Sequence, residues 1–295
     1  MSDRTASSNL GTYVYAVAAI AAGIINLIWH DFATGWQPIQ AFGDHVPGRE
    51  LYARITAVWL VVGGAAVLWR RTARGGAKAL AIVYLIFAVF WLPRLYWGPR
   101  VLGLRPSVII GVLAGVAEQV ILVCAGVIVS VSLAARSSPS HSTAAVRARA
   151  VFGICSVEFG LAHLTGLESA APFVPKWLPL GPDFWVIVTG IAFILAGLAI
   201  LSGVLDVLAS RLLTMMLIVF SALVLAPGIF AAPHDHEAWG GNAFNLAAVG
   251  AAWIVADWLA SQRKAGASVR HVEGLLRALR SRFSRPSDGS GQVVP

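Results

Sequence analysis

The side chains with the clearest chemical potential lie in residues 157–190, VEFGLAHLTGLESAAPFVPKWLPLGPDFWVIVTG. An apolar run carries Glu158 and His163, and Glu168 follows shortly before two prolines. A carboxylate beside an imidazole can hold and transfer a proton near neutral pH. We therefore take His163 and Glu168 as candidate catalytic residues, with Glu158 as a third. A chain break after Gly166 would let Glu168 turn back towards the ring. In the alternative, His163 bonds a backbone carbonyl and only fixes the turn.

Further polar side chains lie near the ends of apolar runs or inside them. The candidate pocket residues are Asn26, His30, Asp31, Glu118, Trp177 and Thr189. Asn26 and His30 are four residues apart and therefore share one helix face. Glu118 and Glu158 lie deep in apolar runs, where a carboxylate is costly unless it pairs or lines a cavity. Each is either a proton relay or cavity ligand, or a neutral acid bonded to a neighbouring helix.

Metal, thiol and haem chemistry have less support. His234 and His236 in the loop sequence HDHE are weak candidate metal ligands, since no cysteine joins them and a solvated loop explains them. Cys124 and Cys155 form no CxxC pair, so we interpret them as small core residues. A b-type haem is disfavoured because no second histidine pair lies at matching depth. The sequence does not identify a cofactor, and quinone is one candidate.

The elements that must position these residues are membrane-spanning helices. Hydrophobic residues make up 58% of the chain and charged residues 12%, with a mean hydropathy of +0.75. A soluble domain carries about 25% charged residues. Apolar runs of roughly 18–25 residues can cross a bilayer as helices. The predicted spans are residues 12–29, 51–69, 79–98, 107–133, 151–166, 184–202, 212–232 and 242–260.

The two halves of the chain repeat one pattern. The matched positions, first half then second, are Gly23 and Gly160, Asn26 and His163, Asp31 and Glu168, Thr56 and Thr189, Gly64 and Gly197, Pro93 and Pro227, and Pro99 and Pro233. Four spans return the chain to its starting side, so the copies share one orientation. The expected fold is an all-α membrane protein with eight transmembrane helices as two parallel four-helix repeats.

The expected organisation has four parts. Residues 1–135 form a diverged first repeat, 136–150 a cytoplasmic linker, 151–262 the second repeat, and 263–295 a basic amphipathic tail with a disordered end. Most of the 22 lysines and arginines lie on the side of the termini and linker, which indicates cytoplasmic termini in the cell (inner) membrane. This asymmetry accounts for the net charge of +8 and gives no reason to expect nucleic acid. Lipid and protein subunits are the expected partners, and any small-molecule ligand is unknown.

The segment GLAHLTGLESAAPFVPKWLP, followed by FWVIVTGIAFILAGLAILSG and RLLTMMLIVFSALVLAPGIF, resembles the DoxX-like family of four-helix membrane proteins. The resemblance rests on the Gly-x-x-His helix end, the Val-Pro-x-Trp-Leu-Pro re-entry and a helix that opens towards Thr-Gly. The first half resembles the family more loosely, with Asn26 in the place of histidine. The resemblance implies two fused DoxX-like units. The family is associated with thiosulfate and quinone redox chemistry. The resemblance implies a quinone-linked role for this chain less strongly than it implies the fold.

Three functions fit these features, and whether the chain is an enzyme stays open. The preferred one is a non-catalytic subunit or scaffold of a membrane assembly. The first alternative is a quinone-linked redox subunit that uses His163 and Glu168 beside Trp177. The second is a small-solute carrier or channel with Glu118 and Glu158 along its path.

The topology can be tested with reporter fusions. We expect a fusion after Ser138 to report the cytoplasm and one after Pro179 to report the external side, because an odd number of spans separates them. Paired phosphatase and fluorescent-protein reporters make the measurement at both sites. An external signal at Ser138 would mean that the first half has a different number of spans.

Overall fold

The computed structural model describes residues 10–33, 35, 37, 47–134 and 142–283, with side chains as far as residue 267, and all regular structure in them is helical. The long helices are α1 (Leu10–Trp29), α2 (Arg49–Leu68), α3 (Ala73–Trp91), α5 (Pro106–Ala134), α6 (Thr143–Thr165), α8 (Pro182–Ser202), α9 (Asp206–Phe220) and α11 (His236–Phe283). The short elements are α4 (Arg94–Leu102), α7 (Leu167–Ala170), a 3-10 turn (Ala171–Phe173), a π-helical segment (Ser221–Leu225) and α10 (Ala226–Ala231).

The long helices have the length and composition of membrane spans. Seven segments of the described chain are long and apolar enough to cross a bilayer, with α9, the π segment and α10 counted together as Asp206–Ala231. The eighth is a bent pair, Thr143–Thr165 and Leu167–Phe173, whose two parts meet at 92°. About 20 helical residues cross the hydrocarbon core, so the described chain has the helix lengths and composition of a multi-pass membrane protein.

Several helix boundaries differ from those of the predicted spans, and two of the differences follow from local chain chemistry. The third span was expected over residues 79–98, but α3 ends at Trp91 and α4 begins at Arg94. Pro93 has no N–H with which to continue α3, and it is the N-cap residue before α4. The fifth span was expected from residue 151, but α6 begins at Thr143. Most of the predicted linker's described part is thus helical, as its alanines and arginines favour.

The carboxyl-terminal segment is helical as far as Phe283. The chain divides into two compact units, Met1–Asp257 and Trp258–Pro295. A basic amphipathic tail was predicted over residues 263–295, and α11 runs without a break from His236 to Phe283 into that range. The tail predicted to be disordered after Arg285 lies outside the described residues.

Two glycines bring α1 and α2 into backbone contact. A Cβ atom on Gly23 would lie 2.5 Å from the Ala57 carbonyl oxygen, and one on Gly64 would lie 2.7 Å from the Ala16 oxygen. No side chain fits at either position without moving backbone. Small residues allow helices to pack closely in lipid, where dispersion contacts take the place of the hydrophobic effect as the force that drives helix association.

The α6–α8 pair has glycine contacts of the same kind. A Cβ atom on Gly160 would collide with the Gly190 carbonyl oxygen, and one on Gly197 would lie 2.6 Å from the Gly153 oxygen. Arg149 reinforces the other end of this pair, since its Nε donates to the Ile200 oxygen at 2.8 Å.

Helices adjacent in sequence pack on one another, and α1 also meets α11. The packed pairs along the chain are α1 on α2, α2 on α3, α3 on α5, α5 on α6, α6 on α8 and α8 on α9. A Cβ atom on Gly250 of α11 would lie 2.5 Å from the Tyr15 nitrogen of α1. The Tyr15 hydroxyl donates to the Leu122 oxygen at 3.0 Å and ties α1 to α5 as well.

The π segment is bound by asparagines from α11. Asn245 Nδ2 donates to the Leu217 oxygen at 2.9 Å and to Ser221 Oγ at 2.7 Å. Asn242 Nδ2 donates to the Leu225 oxygen at 2.7 Å. A π-bulge disturbs the regular carbonyl pairing of a helix, and these two side chains supply donors where it does so.

The glycine contacts predict the effect of a single methyl group. We expect Gly160→Ala to lower the free energy of unfolding by about 1–3 kcal/mol, because the added carbon meets the Gly190 backbone. Mixed-micelle denaturant titration followed by circular dichroism provides the measurement. Gly111→Ala is the matched control, since nothing lies within 4 Å of its Cβ position. Equal stability of the two variants would contradict the close approach.

Candidate functional site

The predicted break after Gly166 is confirmed. Helix α6 ends at Thr165, and Gly166 has φ −114° and ψ 34°, outside helical geometry. The chain turns by 92° into α7 and the 3-10 turn. Trp185 Nε1 then donates to the Pro179 oxygen at 2.7 Å and fastens the re-entry to the start of α8.

His163 and Glu168 are not joined at this turn. His163 Nδ1 donates to the Phe159 oxygen at 2.8 Å, and its ring centroid lies 5.2 Å from that of Phe193. Glu168 is exposed on α7. In the part of the chain that the structure describes, no hydrogen bond or ion pair links the two side chains. The ring position matches the alternative in which His163 bonds a backbone carbonyl.

Two further predicted pocket residues in this hairpin make local contacts. Trp177 is exposed in the re-entry, where an amphipathic ring suits a membrane interface. Thr189 Oγ1 donates to the Trp185 oxygen at 2.8 Å, within its own helix.

The strongest cluster of polar contacts lies instead at the end of α1. Asn26 is fully buried, and its Nδ2 donates to Gln37 Oε1 at 3.0 Å. The Ala33 N–H donates to the same Gln37 oxygen at 3.2 Å. His236 Nε2 lies 3.4 Å from Asn26 Oδ1, and its ring stacks on Trp29 with a centroid distance of 5.0 Å. We call Asn26, Gln37 and His236 the α1-end cluster.

Charged side chains beside the α1-end cluster make contacts of their own. Asp31 accepts two hydrogen bonds from Arg49, at 2.6 and 2.8 Å. Glu237 Oε2 accepts one from the Gly35 N–H at 3.1 Å. His30 lies more than half exposed, with Nδ1 3.8 Å from a Glu50 carboxylate oxygen. These pairs join the start of α2 and the start of α11 to the end of α1.

Arg94 is the buried cation of this region. Its Nη2 donates to the Gln37 carbonyl oxygen at 3.3 Å, and its guanidinium carbon lies 3.7 Å from the Trp91 ring centroid. Burial lowers the pKa of Arg94 to about 10, and the nearby Glu237 and Glu118 carboxylates oppose that shift. Arg94 therefore remains charged at neutral pH, held by a carbonyl and an aromatic face.

The cavity beside the α1-end cluster is small. It has a volume of about 20 Å³ and is lined by Asn26, Gln37, Gln119, Tyr84, Phe87 and residues of α11. A single water needs about 10–15 Å³ of such space, whereas ligand pockets measure about 300–1,000 Å³. The amides around this cavity can thus hold about one water and not a quinone ring.

Glu118 and Glu158 lie where α5 packs against α6. Glu118 is near enough to Glu158 and Arg94 for their charges to interact. Both carboxyl oxygens of Glu158 are buried and have no hydrogen-bond partner among the described residues. This carboxyl is therefore placed to take up a proton or a cation.

The weak metal candidates are not assembled into a metal site in the described residues. His234 is exposed, while His236 belongs to the α1-end cluster. No three His, Cys, Asp or Glu side chains are grouped around a possible ion there. Cys124 and Cys155 are buried free thiols, as expected of small core residues.

Sequence reasoning missed three residues at or beside the α1-end cluster: Gln37, Arg94 and Gln119. Gln119 had a usable signal, because a buried amide inside an apolar span marks a polar contact. Arg94 follows the Leu92-Pro93 helix end, where an arginine is ordinarily a surface charge and the sequence gives no sign of its burial. Gln37 lies in a polar loop and carries no periodicity that would single it out.

Comparisons of the chain with protein-family models, with curated proteins and with solved structures return no match.

The α1-end cluster predicts a stability effect. We expect Asn26→Leu to lower the free energy of unfolding by about 1–3 kcal/mol, because Gln37 Oε1 loses a buried donor. Denaturant titration in mixed micelles measures it. His30→Asn serves as the control: it alters an exposed side chain and keeps a residue that tolerates the φ of 55° there. If His30→Asn lowers the free energy of unfolding as much as Asn26→Leu does, the buried contact is contradicted.

Proposed function

We propose that this chain is a non-catalytic subunit or scaffold of a membrane assembly. One observation carries the proposal: the polar side chains of the α1-end cluster bond one another around a cavity of only about 20 Å³. A substrate or quinone site needs free polar groups beside an apolar slot of several hundred Å³. Here the polar groups are occupied in joining α1 to Gln37 and to α11.

The position of His163 supports the same proposal. Its Nδ1 is bonded to the Phe159 oxygen and its ring packs on Phe193, while Glu168 is exposed. A quinone-linked site built on His163 and Glu168 beside Trp177 would need these groups to converge. As placed, the histidine fixes the end of α6.

We further propose that the chain is a fused duplication of two parallel four-helix units that resemble the DoxX-like family. Contacts at matched positions support this reading. Gly23 faces Ala57 and Val61, and Gly160 faces Gly190 and Ile194, at the same spacing along both helix pairs.

A second pair of matched contacts supports the duplication. Gly64 faces Ala16 and Ile20, and Gly197 faces Gly153 and Val157. Thr56 and Thr189 each bond the carbonyls three and four residues earlier. The π segment adds one residue after α9. Pro227 therefore aligns with Pro93 one residue later than the Thr56–Thr189 and Gly64–Gly197 matches predict.

We place the chain in the cell (inner) membrane with both termini cytoplasmic. The basic turn between α2 and α3 and the basic residues near the starts of α6 and α9 share one side of the bilayer in this arrangement. The positive-inside rule assigns that side to the cytoplasm.

The scaffold proposal is tested on protein purified in digitonin. We expect a complex of fixed stoichiometry with another membrane protein, identified by cross-linking mass spectrometry, and no stoichiometric quinone in a solvent extract. His163→Gln keeps a hydrogen-bonding group of similar reach and should leave the complex intact. A stoichiometric quinone that is lost in His163→Gln would overturn the proposal in favour of the redox alternative.

A second candidate function is transfer of a proton or small cation between α5 and α6. The buried Glu158 oxygens, which have no hydrogen-bond partner among the described residues, favour it. We expect such a function to appear as flux in proteoliposomes that Glu158→Gln abolishes. Glu168→Gln, at an exposed position, is the matched control. Absence of flux in the parent protein would leave the scaffold as the function.

A further inference from the structure

An open groove runs between α2 and α3 on the surface of the helix bundle. Its volume is about 630 Å³, and its walls include Ile55, Val58, Trp59 and Val62. Ile55, Val58 and Val62 are each half exposed or more, so the groove faces the surrounding bilayer. From Ile55 to Ala66 it extends about 16 Å along α2, which is roughly half the 30 Å thickness of a hydrocarbon core. The groove thus matches the depth of one leaflet.

Gly75 leaves space in this groove although helix packing does not require a glycine at that position. Other glycines of the groove are required where helices touch: a Cβ on Gly63 would lie 2.8 Å from Leu80, and one on Gly76 would lie 2.6 Å from the Val67 nitrogen. Nothing lies within 4 Å of a Cβ on Gly75. A glycine in a helix is destabilising relative to alanine, and at position 75 its absent side chain leaves empty space in the groove.

The end of the groove at the α2–α3 turn is strongly positive. Arg71 lines it, and Arg70, Arg74 and Lys78 are exposed close by in the sequence. Residues 51–117 contain no aspartate or glutamate. Among the described residues, none of these four cations forms an ion pair within the chain. The Thr72 hydroxyl already donates to the Ala66 oxygen at 2.8 Å, which leaves Arg71 as the donor facing the groove.

We propose that this groove is a binding site for one anionic diacyl phospholipid. An acyl chain lies along the apolar walls, in the space left by Gly75, and the phosphate pairs with the Arg71 guanidinium. A guanidinium binds phosphate through two parallel hydrogen bonds. Basic residues beside a membrane surface attract anionic lipids in the same way. The proposal is independent of whether the chain is a scaffold or a carrier.

The test is native mass spectrometry of the full chain in detergent with added phosphatidylglycerol or phosphatidylcholine of the same acyl chains. We expect one phosphatidylglycerol to be retained in preference to phosphatidylcholine. Arg71→Gln should reduce that preference about 5-fold, the factor that corresponds to roughly 1 kcal/mol per basic residue. Gly75→Leu, which fills the groove, should reduce retention of both lipids.

Matched controls separate a site from general attraction. Arg70→Gln removes the same charge beside the groove, and Gly111→Leu adds the same side chain at another open helical glycine. Both should retain lipid like the parent protein. Equal loss in Arg70→Gln and Arg71→Gln, or full retention in Gly75→Leu, would overturn the proposal. If circular dichroism shows Gly75→Leu to be misfolded, Val62→Trp fills the groove from α2 and gives the same decision.

Discussion

Backbone contact between helices at glycines is the constraint on which the rest of this structure depends. In lipid the hydrophobic effect does not drive helices together, so close dispersion contact must do so. At Gly23 and Gly64, α1 and α2 approach too closely for any side chain, and α6 and α8 do so at Gly160 and Gly197. Each pair has two such points on a common line, which fixes both the crossing and the axial register. The positions of the helix ends follow from that register.

The polar groups at the helix ends then have to satisfy one another. Once α1 and α2 are in register, Asp31 lies against Arg49, and Asn26 lies against Gln37 and His236. Polar groups without partners are costly at membrane depth, so the cluster closes around a cavity of about one water. The resulting connection between the first and last long helices is what supports a structural role. Glu158 departs from this pattern, since its two buried carboxyl oxygens have no hydrogen-bond partner among the described residues.

The two helix pairs share their glycine contacts but differ at their ends. At the end of α1 the amide of Asn26 enters a network that reaches α11, whereas His163 at the matching place in α6 packs among aromatic rings. If the chain is a duplication, as proposed, the packing surfaces were kept while the ends diverged. The groove between α2 and α3 is a separate feature of the first half. Its basic end lies in a stretch of chain, residues 51–117, that contains no aspartate or glutamate.

The amino-acid sequence by itself determined the class of the protein, the approximate spans and the break after Gly166. These depend on local properties, namely the length of apolar runs and the prolines that follow. It did not determine the α1-end cluster, in which Asn26 and His236 are 210 residues apart. Nor did it decide whether His163 would meet Glu168. A helix that is apolar on nearly all sides carries little record of which face is buried, so only the tertiary packing set the rotation of each helix and thereby the partners of its polar side chains.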